Sequence, residues 1–165
     1  MNTAEIIMQQ KKIAAEKENA EKQLAYDTIK QWTETNAEKW ARGLLSRIAK
    51  RFSTGFADKV RYHCVMGSSN YPLGEGYPKD VGAWWEVEYW KNGRRVAEYG
   101  FGYVKEFFEE NPIEKTKYAE GKCELFVGQM LFHTALPELL ESEGFAVQHN
   151  GCGCCEEIIV TLPEE

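Results

Sequence analysis

The stretch AWWEVEYWKNGRRVAEYGFGY, residues 83–103, leaves the backbone little choice of path. Asn92-Gly93 between alternating residues is the strongest short-range hairpin signal, because a type I′ turn needs positive φ at both central positions. With Asn92 and Gly93 as the turn, Lys91 faces Arg94 and the register follows. One face then carries Trp85, Val87 and Tyr89 opposite Gly100, Glu98 and Val96. The other carries Trp84, Glu86, Glu88 and Trp90 opposite Phe101, Tyr99, Ala97 and Arg95. Trp85 opposite Gly100 suits a ring covering a glycine. Trp90 opposite Arg95 suits a cation stacked on an indole.

A second strong pattern begins at Tyr26. Ile29, Trp32, Asn36, Trp40, Leu44, Ile48 and Phe52 fall three or four apart, and Ala37, Ala41 and Leu45 widen the stripe, which predicts an amphipathic helix. Gly55 stands where a C-cap is expected, and Lys50 and Arg51 suit the negative end of the helix dipole. Arg42, Arg47, Lys50, Arg51, Lys59 and Arg61 cluster in sequence, either as an anion contact or as helix-end electrostatics with a solvated face. Upstream, residues 1–25 are rich in the helix formers Glu, Lys, Gln and Ala. Ile6, Ile13 and Ala20 lie seven apart, too sparse a seam for a coiled coil. A helix of this kind is marginal alone in water, so it is expected to pack on its own body, on a second copy or on a partner.

The remaining chain alternates strand and helix signals without a βαβ repeat. Residues 58–66 read as a first strand. The Gly- and Pro-rich segment 67–82 reads as a long loop, a lid or a connector. It holds no phosphate-loop pattern, and Ser68, Ser69 and Asn70 have no nearby base. A short helix is expected over 104–112 and a loop over 112–121. A second amphipathic helix runs through Cys123, Phe126, Val127, Met130 and Leu131, broken or kinked at Pro137, with Gly144 stopping the turn that follows. Residues 145–149 and 157–162 form a last hairpin, with Ile158, Val160 and Leu162 on one face. The expected class is α+β: a long N-terminal helix, then a mainly antiparallel sheet of about five strands with one or two covering helices. Residues 1–56 form the helical region and residues 57–165 the α+β domain.

Charge divides along the same line. Residues 1–56 carry +3 and residues 57–165 carry −9, giving −6 in all. An acidic body repels phosphates, which argues against direct nucleic-acid binding and fits either ordinary solubility or a basic partner. No apolar run is long enough to cross a membrane, and MNTAEIIMQQKK does not read as a secretory signal. A cytoplasmic protein with reduced thiols is expected, and five cysteines do not make a disulfide framework.

Two places could carry chemistry. HNGCGCCEE supplies His149, Cys152, Cys154 and Cys155, donor types that suit zinc. Adjacent Cys154 and Cys155 point apart in extended chain, so a site would use His149, Cys152 and Cys154 with a distant ligand such as His63 or Cys64. The competing reading is a turn in which Asn150, Gly151 and Gly153 take positive φ. A redox role is disfavoured, because Glu156 and Glu157 raise nearby thiol pKa values. Glu86 and Glu88 share one strand face at a spacing that a carboxylate pair could use. With Trp84, Trp90, Arg95, Tyr99 and Phe101 they also have the composition of a protein-interface core.

No catalytic motif stands out. The expectation is a non-enzymatic interaction protein whose acidic aromatic surface binds another protein. One version is an inhibitor of a basic nucleic-acid enzyme from a phage or mobile element, anti-CRISPR-like, with the N-terminal helix docking or forming a homodimer. The alternative is a small zinc-binding regulator built on the C-terminal His/Cys cluster.

Overall fold

The computed structural model describes residues 1–66, 83–151 and 156–164, with the side chains of residues 65, 66, 83, 84 and 151 left out. The fold is α+β, as the patterning predicts. Helix α1 spans Thr3–Ser53 in one piece of 51 residues. Its start is a capping box: the Asn2 side chain accepts from the Glu5 amide at 2.9 Å, and the Glu5 carboxylate accepts from the Asn2 amide at 2.8 Å. Its end is closed by Gly55 at φ 73°, a left-handed conformation that glycine adopts without steric cost.

Five strands follow: β1 (Lys59–Met66), β2 (Ala83–Lys91), β3 (Arg94–Gly100), β4 (Ala146–Gly151) and β5 (Glu156–Thr161). All pairings are antiparallel, in the order β3-β2-β1-β5-β4. Three helices lie between β3 and β4: α2 (Tyr103–Glu110), α3 (Lys117–Val127) and α4 (Leu136–Ser142). The second half of α1 lies along α3 and α4. Its buried side chains Ile29, Trp32, Ala41, Leu44 and Ile48 join one core with Val60, Tyr62, Trp85, Val87, Tyr89, Ile158 and Val160 of the sheet. Trp32 also donates its indole N–H to the Glu110 carboxylate at 2.7 Å, tying α1 to α2. Among the described residues, no helix is long and apolar enough to cross a membrane.

The structure corrects the sequence reading along the helices and at the end of β5. Helix α3 begins at Lys117, inside the expected loop, because the Thr116 side chain caps it by accepting from the Ala119 amide. Pro137 starts a further helical turn, as expected, but the backbone stays helical through it instead of breaking. Residues Gly128–Ala135 widen into a π-helical segment, in which the Leu136 amide reaches back to the Leu131 carbonyl. A proline lacks the amide hydrogen and its ring crowds the carbonyl four residues back; the wider turn relieves that clash, and Pro137 sits in the first turn of α4. Leu162, expected beside Ile158 and Val160, lies past the end of β5 and is exposed. Gly144 does stop α4: the Phe145 amide bonds Leu140 and the Gly144 amide bonds Glu141, a Schellman motif.

The hairpin turn is where the sequence puts it, with Asn92 at φ 51°, Gly93 at φ 76°, and Lys91 facing Arg94. Beyond Trp90 opposite Arg95 the register shifts by one residue, so Tyr89 faces Ala97, Glu88 faces Glu98, Val87 faces Tyr99 and Glu86 faces Gly100. This bulge exchanges the two faces of the rest of β3, since side chains alternate with period two. Glycine 100 therefore faces Glu86, not Trp85. Trp85 instead stacks on Phe132 of the π segment, with ring centroids 4.3 Å apart.

Gly128 makes room for that stack: a Cβ there would meet Trp85 Nε1 at 2.9 Å. Gly128→Ala is expected to cost about 1–3 kcal/mol in urea unfolding. Gly121→Ala in α3, where a Cβ meets nothing within 4 Å, is expected to be neutral or up to ~1 kcal/mol stabilising. Equal stabilities for the two variants would remove the close-approach argument.

Glu124 of α3 is half-buried, and burial followed by the neighbouring Glu120 carboxylate pushes its carboxyl up to about 8. The folded state thus holds a proton that the unfolded state, near 4.5, releases. Stability from this group is full below pH 4.5 and is lost as pH rises toward 8. Glu124→Gln is expected to flatten the pH dependence of the unfolding midpoint across that window and to raise the midpoint most at its alkaline end.

Candidate functional site

The sheet face turned away from the helices carries charge on β1, β2, β3 and β5 and the polar Asn150 on β4. Its centre is Arg61, whose position on β1 puts Glu88 of β2 on one side and β5 on the other. Arg61 Nη1 donates to Glu88 Oε2 at 2.8 Å, and Arg61 Nε donates to Glu157 of β5. Asn150 of β4 donates to the other Glu157 oxygen at 3.0 Å. On the far side, Arg95 of β3 pairs with Glu98 at 2.9 Å and reaches Glu88 at 3.9 Å. The bulge sets Glu88 and Glu98 directly opposite, a repulsive cross-strand pair that the two arginines offset.

His63, two residues along β1 from Arg61, completes the row. Its Nε2 lies 3.3 Å from Glu88 and 3.6 Å from Glu86, yet is buried without a hydrogen bond. Burial first, then the Arg61 charge, lowers its pKa, while Glu88 and Glu86 oppose the shift. The imidazole is therefore neutral at pH 7. Glu157 is shifted downward, chiefly by the hydrogen bond from Arg61. Its contribution to stability is present above the ordinary carboxylate range and is lost as pH falls through the folded value.

The expected interaction residues divide between the two faces. Glu86, Glu88, Trp90 and Arg95 share the outer face, and Glu88 is only 4% exposed. Trp90 is covered by Lys59 of the adjacent strand, 4.7 Å from the ring centroid, while Arg95 turns to the carboxylates. Tyr99 lies on the opposite face, where its ring meets Tyr89 at 6.1 Å. Phe101 packs into the helical layer against Tyr62, Tyr103 and Phe132. Trp84 belongs to β2, opposite Val65, but its side chain is outside the described part. The single acidic aromatic surface of the sequence reading is thus not assembled, because the bulge sends Tyr99 and Phe101 to the helix side.

Cys152, Cys154 and Cys155 lie outside the described residues, as does the expected loop 67–82. His149 stands on β4 with its side chain exposed. Cys64 is partly buried and Cys123 fully buried, where burial followed by Glu124 pushes its thiol up to about 12. Among the described residues, no group of three His, Cys, Asp or Glu side chains is arranged to hold a metal.

Sequence reasoning placed Arg61 only within a basic run and gave Glu157 no role in the network. The signal was present: Lys59, Arg61 and His63 alternate on one strand, and Glu86 and Glu88 alternate on another. Complementary alternation of this kind marks two strands that neighbour each other with their charged faces on the same side. Compared with protein-family models, curated proteins and solved structures, the chain shows no match.

Arg61 is one-third exposed, whereas the Glu88 carboxylate is nearly dry. Arg61→Ala is expected to cost about 1–3 kcal/mol in chemical denaturation, because it strands a buried carboxylate. Arg61→Met combined with Glu88→Leu is expected to lose less than Arg61→Ala alone. A single variant as stable as the parent would show that the clamp contributes nothing.

Proposed function

We propose that the protein is a non-enzymatic interaction module that docks on another protein through the first half of α1. One observation carries this reading: every residue from Met1 to Leu24 is exposed, although the helix is regular and capped. The arm presents Ile6, Ile7, Met8, Ile13 and Leu24 to solvent, at 43–70% exposure. Apart from Lys22, which lies over the Tyr118 ring of α3 at 5.6 Å, this polar helix gains nothing from its own core, and apolar side chains along it suit an amphipathic helix laid into a groove of a partner. Its four lysines and four glutamates balance, so its recognition is apolar rather than electrostatic.

Charge on the body selects the kind of partner. Residues 103–143, which contain α2 to α4, carry nine glutamates against four lysines and no arginine. The outer sheet face is far more balanced, its carboxylates being matched by Arg61, Arg95 and Lys59. The acidic element is therefore the helical layer, next to the root of the arm, and it complements a basic protein surface. An inhibitor that covers the basic groove of a nucleic-acid enzyme, in the anti-CRISPR manner, is the concrete form of this proposal.

The full chain is expected to displace DNA from such an enzyme of its own host in a mobility-shift assay. Removal of residues 1–24 is expected to weaken that effect by about tenfold or more while leaving the thermal midpoint of the body unchanged. A full chain that displaces nucleic acid from none of the host's enzymes of this class would falsify the inhibitor reading. A concentration-dependent dimer, lost in Ile6→Asp plus Ile13→Asp, would assign the arm to a second copy instead.

A further inference from the structure

A cleft of about 340 Å³ opens between the end of α1 and the helix-facing side of β2 and β3. Its size falls within the range of small-molecule sites, roughly 300–1,000 Å³. Arg47, Lys50 and Arg51 form one wall; they stand three and four positions apart and so share a helix face. Tyr89, Tyr99 and Phe101 form the other wall, and Leu44 and Val87 supply apolar surface beneath. Among the described residues, no carboxylate lines the cleft.

Three cations therefore face one cleft in a chain of net charge −6. Three of the other arginines are paired: Arg42 with Glu38, Arg61 with Glu88 and Glu157, Arg95 with Glu98. Among the described residues, Arg47, Lys50 and Arg51 make no such ion pair. The Arg51 guanidinium instead lies over Phe56 at 4.4 Å and over Tyr89 at 5.5 Å, and it also hydrogen-bonds the Tyr89 hydroxyl, so it is held by neutral groups. Burial raises the Tyr89 pKa, and the Arg51 and Arg47 charges pull it back, as expected for cations close to the phenol. Tyr99 is half exposed at the mouth, free to stack on a second flat ring.

The bulge in the hairpin creates this arrangement. In an unshifted register Tyr99 would lie on the outer face, across from Glu86. The extra residue of β3 turns it toward Val87 and the α1 cations instead.

We infer that this cleft binds a small anion carrying one aromatic ring, a monophosphate ester of nucleotide size, with the ring on the exposed Tyr99 and the phosphate on Arg47, Lys50 and Arg51. Arginine forks suit phosphate oxygens, and charge-assisted bonds are the strong ones. The site is separate from the docking arm.

Isothermal titration of the full chain with adenosine monophosphate and with phenyl phosphate tests the assignment. Both esters are expected to bind, and adenosine and inorganic phosphate are each expected to bind about tenfold or more weakly, since each lacks one half of the recognition. Arg47→Glu combined with Lys50→Glu, two exposed positions, is expected to abolish ester binding and keep the thermal midpoint. Tyr99→Ala is expected to weaken the esters and leave inorganic phosphate unchanged. The proposal is overturned by absence of binding of both esters at ~5 mM. It is equally overturned if adenosine or phosphate binds as well as the esters, or if the charge-reversed variant binds them as tightly as the parent.

Discussion

Phe132 is the side chain on which the two layers meet. Its ring lies 4.3 Å from Trp85, 5.3 Å from Phe101, 5.6 Å from Tyr62 and 6.3 Å from Tyr103. Those four rings come from β2, the end of β3, β1 and α2, so one residue of the π segment joins most of the fold. Packed aromatic pairs add about 0.5–1.5 kcal/mol beyond their buried area, and several share this one partner. Each contact has its own local requirement. Trp85 needs the bare backbone of Gly128, and Phe101 needs the register shift that turns the end of β3 inward. The helix must also continue past Phe132 toward a proline, which the π segment allows.

The bulge links this core to both surfaces. On the helix side it delivers Tyr99 and Phe101; on the outer side it sets Glu98 across from Glu88 and makes a carboxylate pair that only arginine tolerates. Arg61 and Arg95 then hold the outer face as a row of charge-assisted bonds from β3 to β4. A single inserted residue in an edge strand thereby decides which side chains are available to solvent and which belong to the core.

Much of this was legible in the residues. The turn at Asn92-Gly93, the stripe from Ile29 to Phe52, the stop at Gly55 and the alternation of β1 each have one strong local cause, and each stands where that cause puts it. The bulge had no such signature. Both faces of residues 84–101 carry aromatics and charges, so the pattern is nearly as good in either register, and packing against Phe132 decides between them. The π segment was hidden for a related reason: a proline in an apolar stripe ordinarily signals a break, and the widened turn that carries the helix across it has no sequence signature of its own. The charged row was half legible, since Glu86 and Glu88 stood out while their partner Arg61 was masked by a run of basic neighbours. Composition showed that the first 25 residues favour helix, but whether such a helix packs or projects depends on apolar contacts that propensity does not encode.

The unbroken course of α1 fixes a distance. Its buried half starts at Ala25, and the stretch from Thr3 to Leu24 rises about 33 Å beyond it at 1.5 Å per residue. No proline or glycine interrupts that stretch, so it has no built-in hinge. The projecting segment acts as a ruler: a molecule gripping its tip is kept roughly a small-domain diameter away from the sheet. Any tilt imposed there is passed, through a rigid shaft, to the end that carries Arg47 and Arg51.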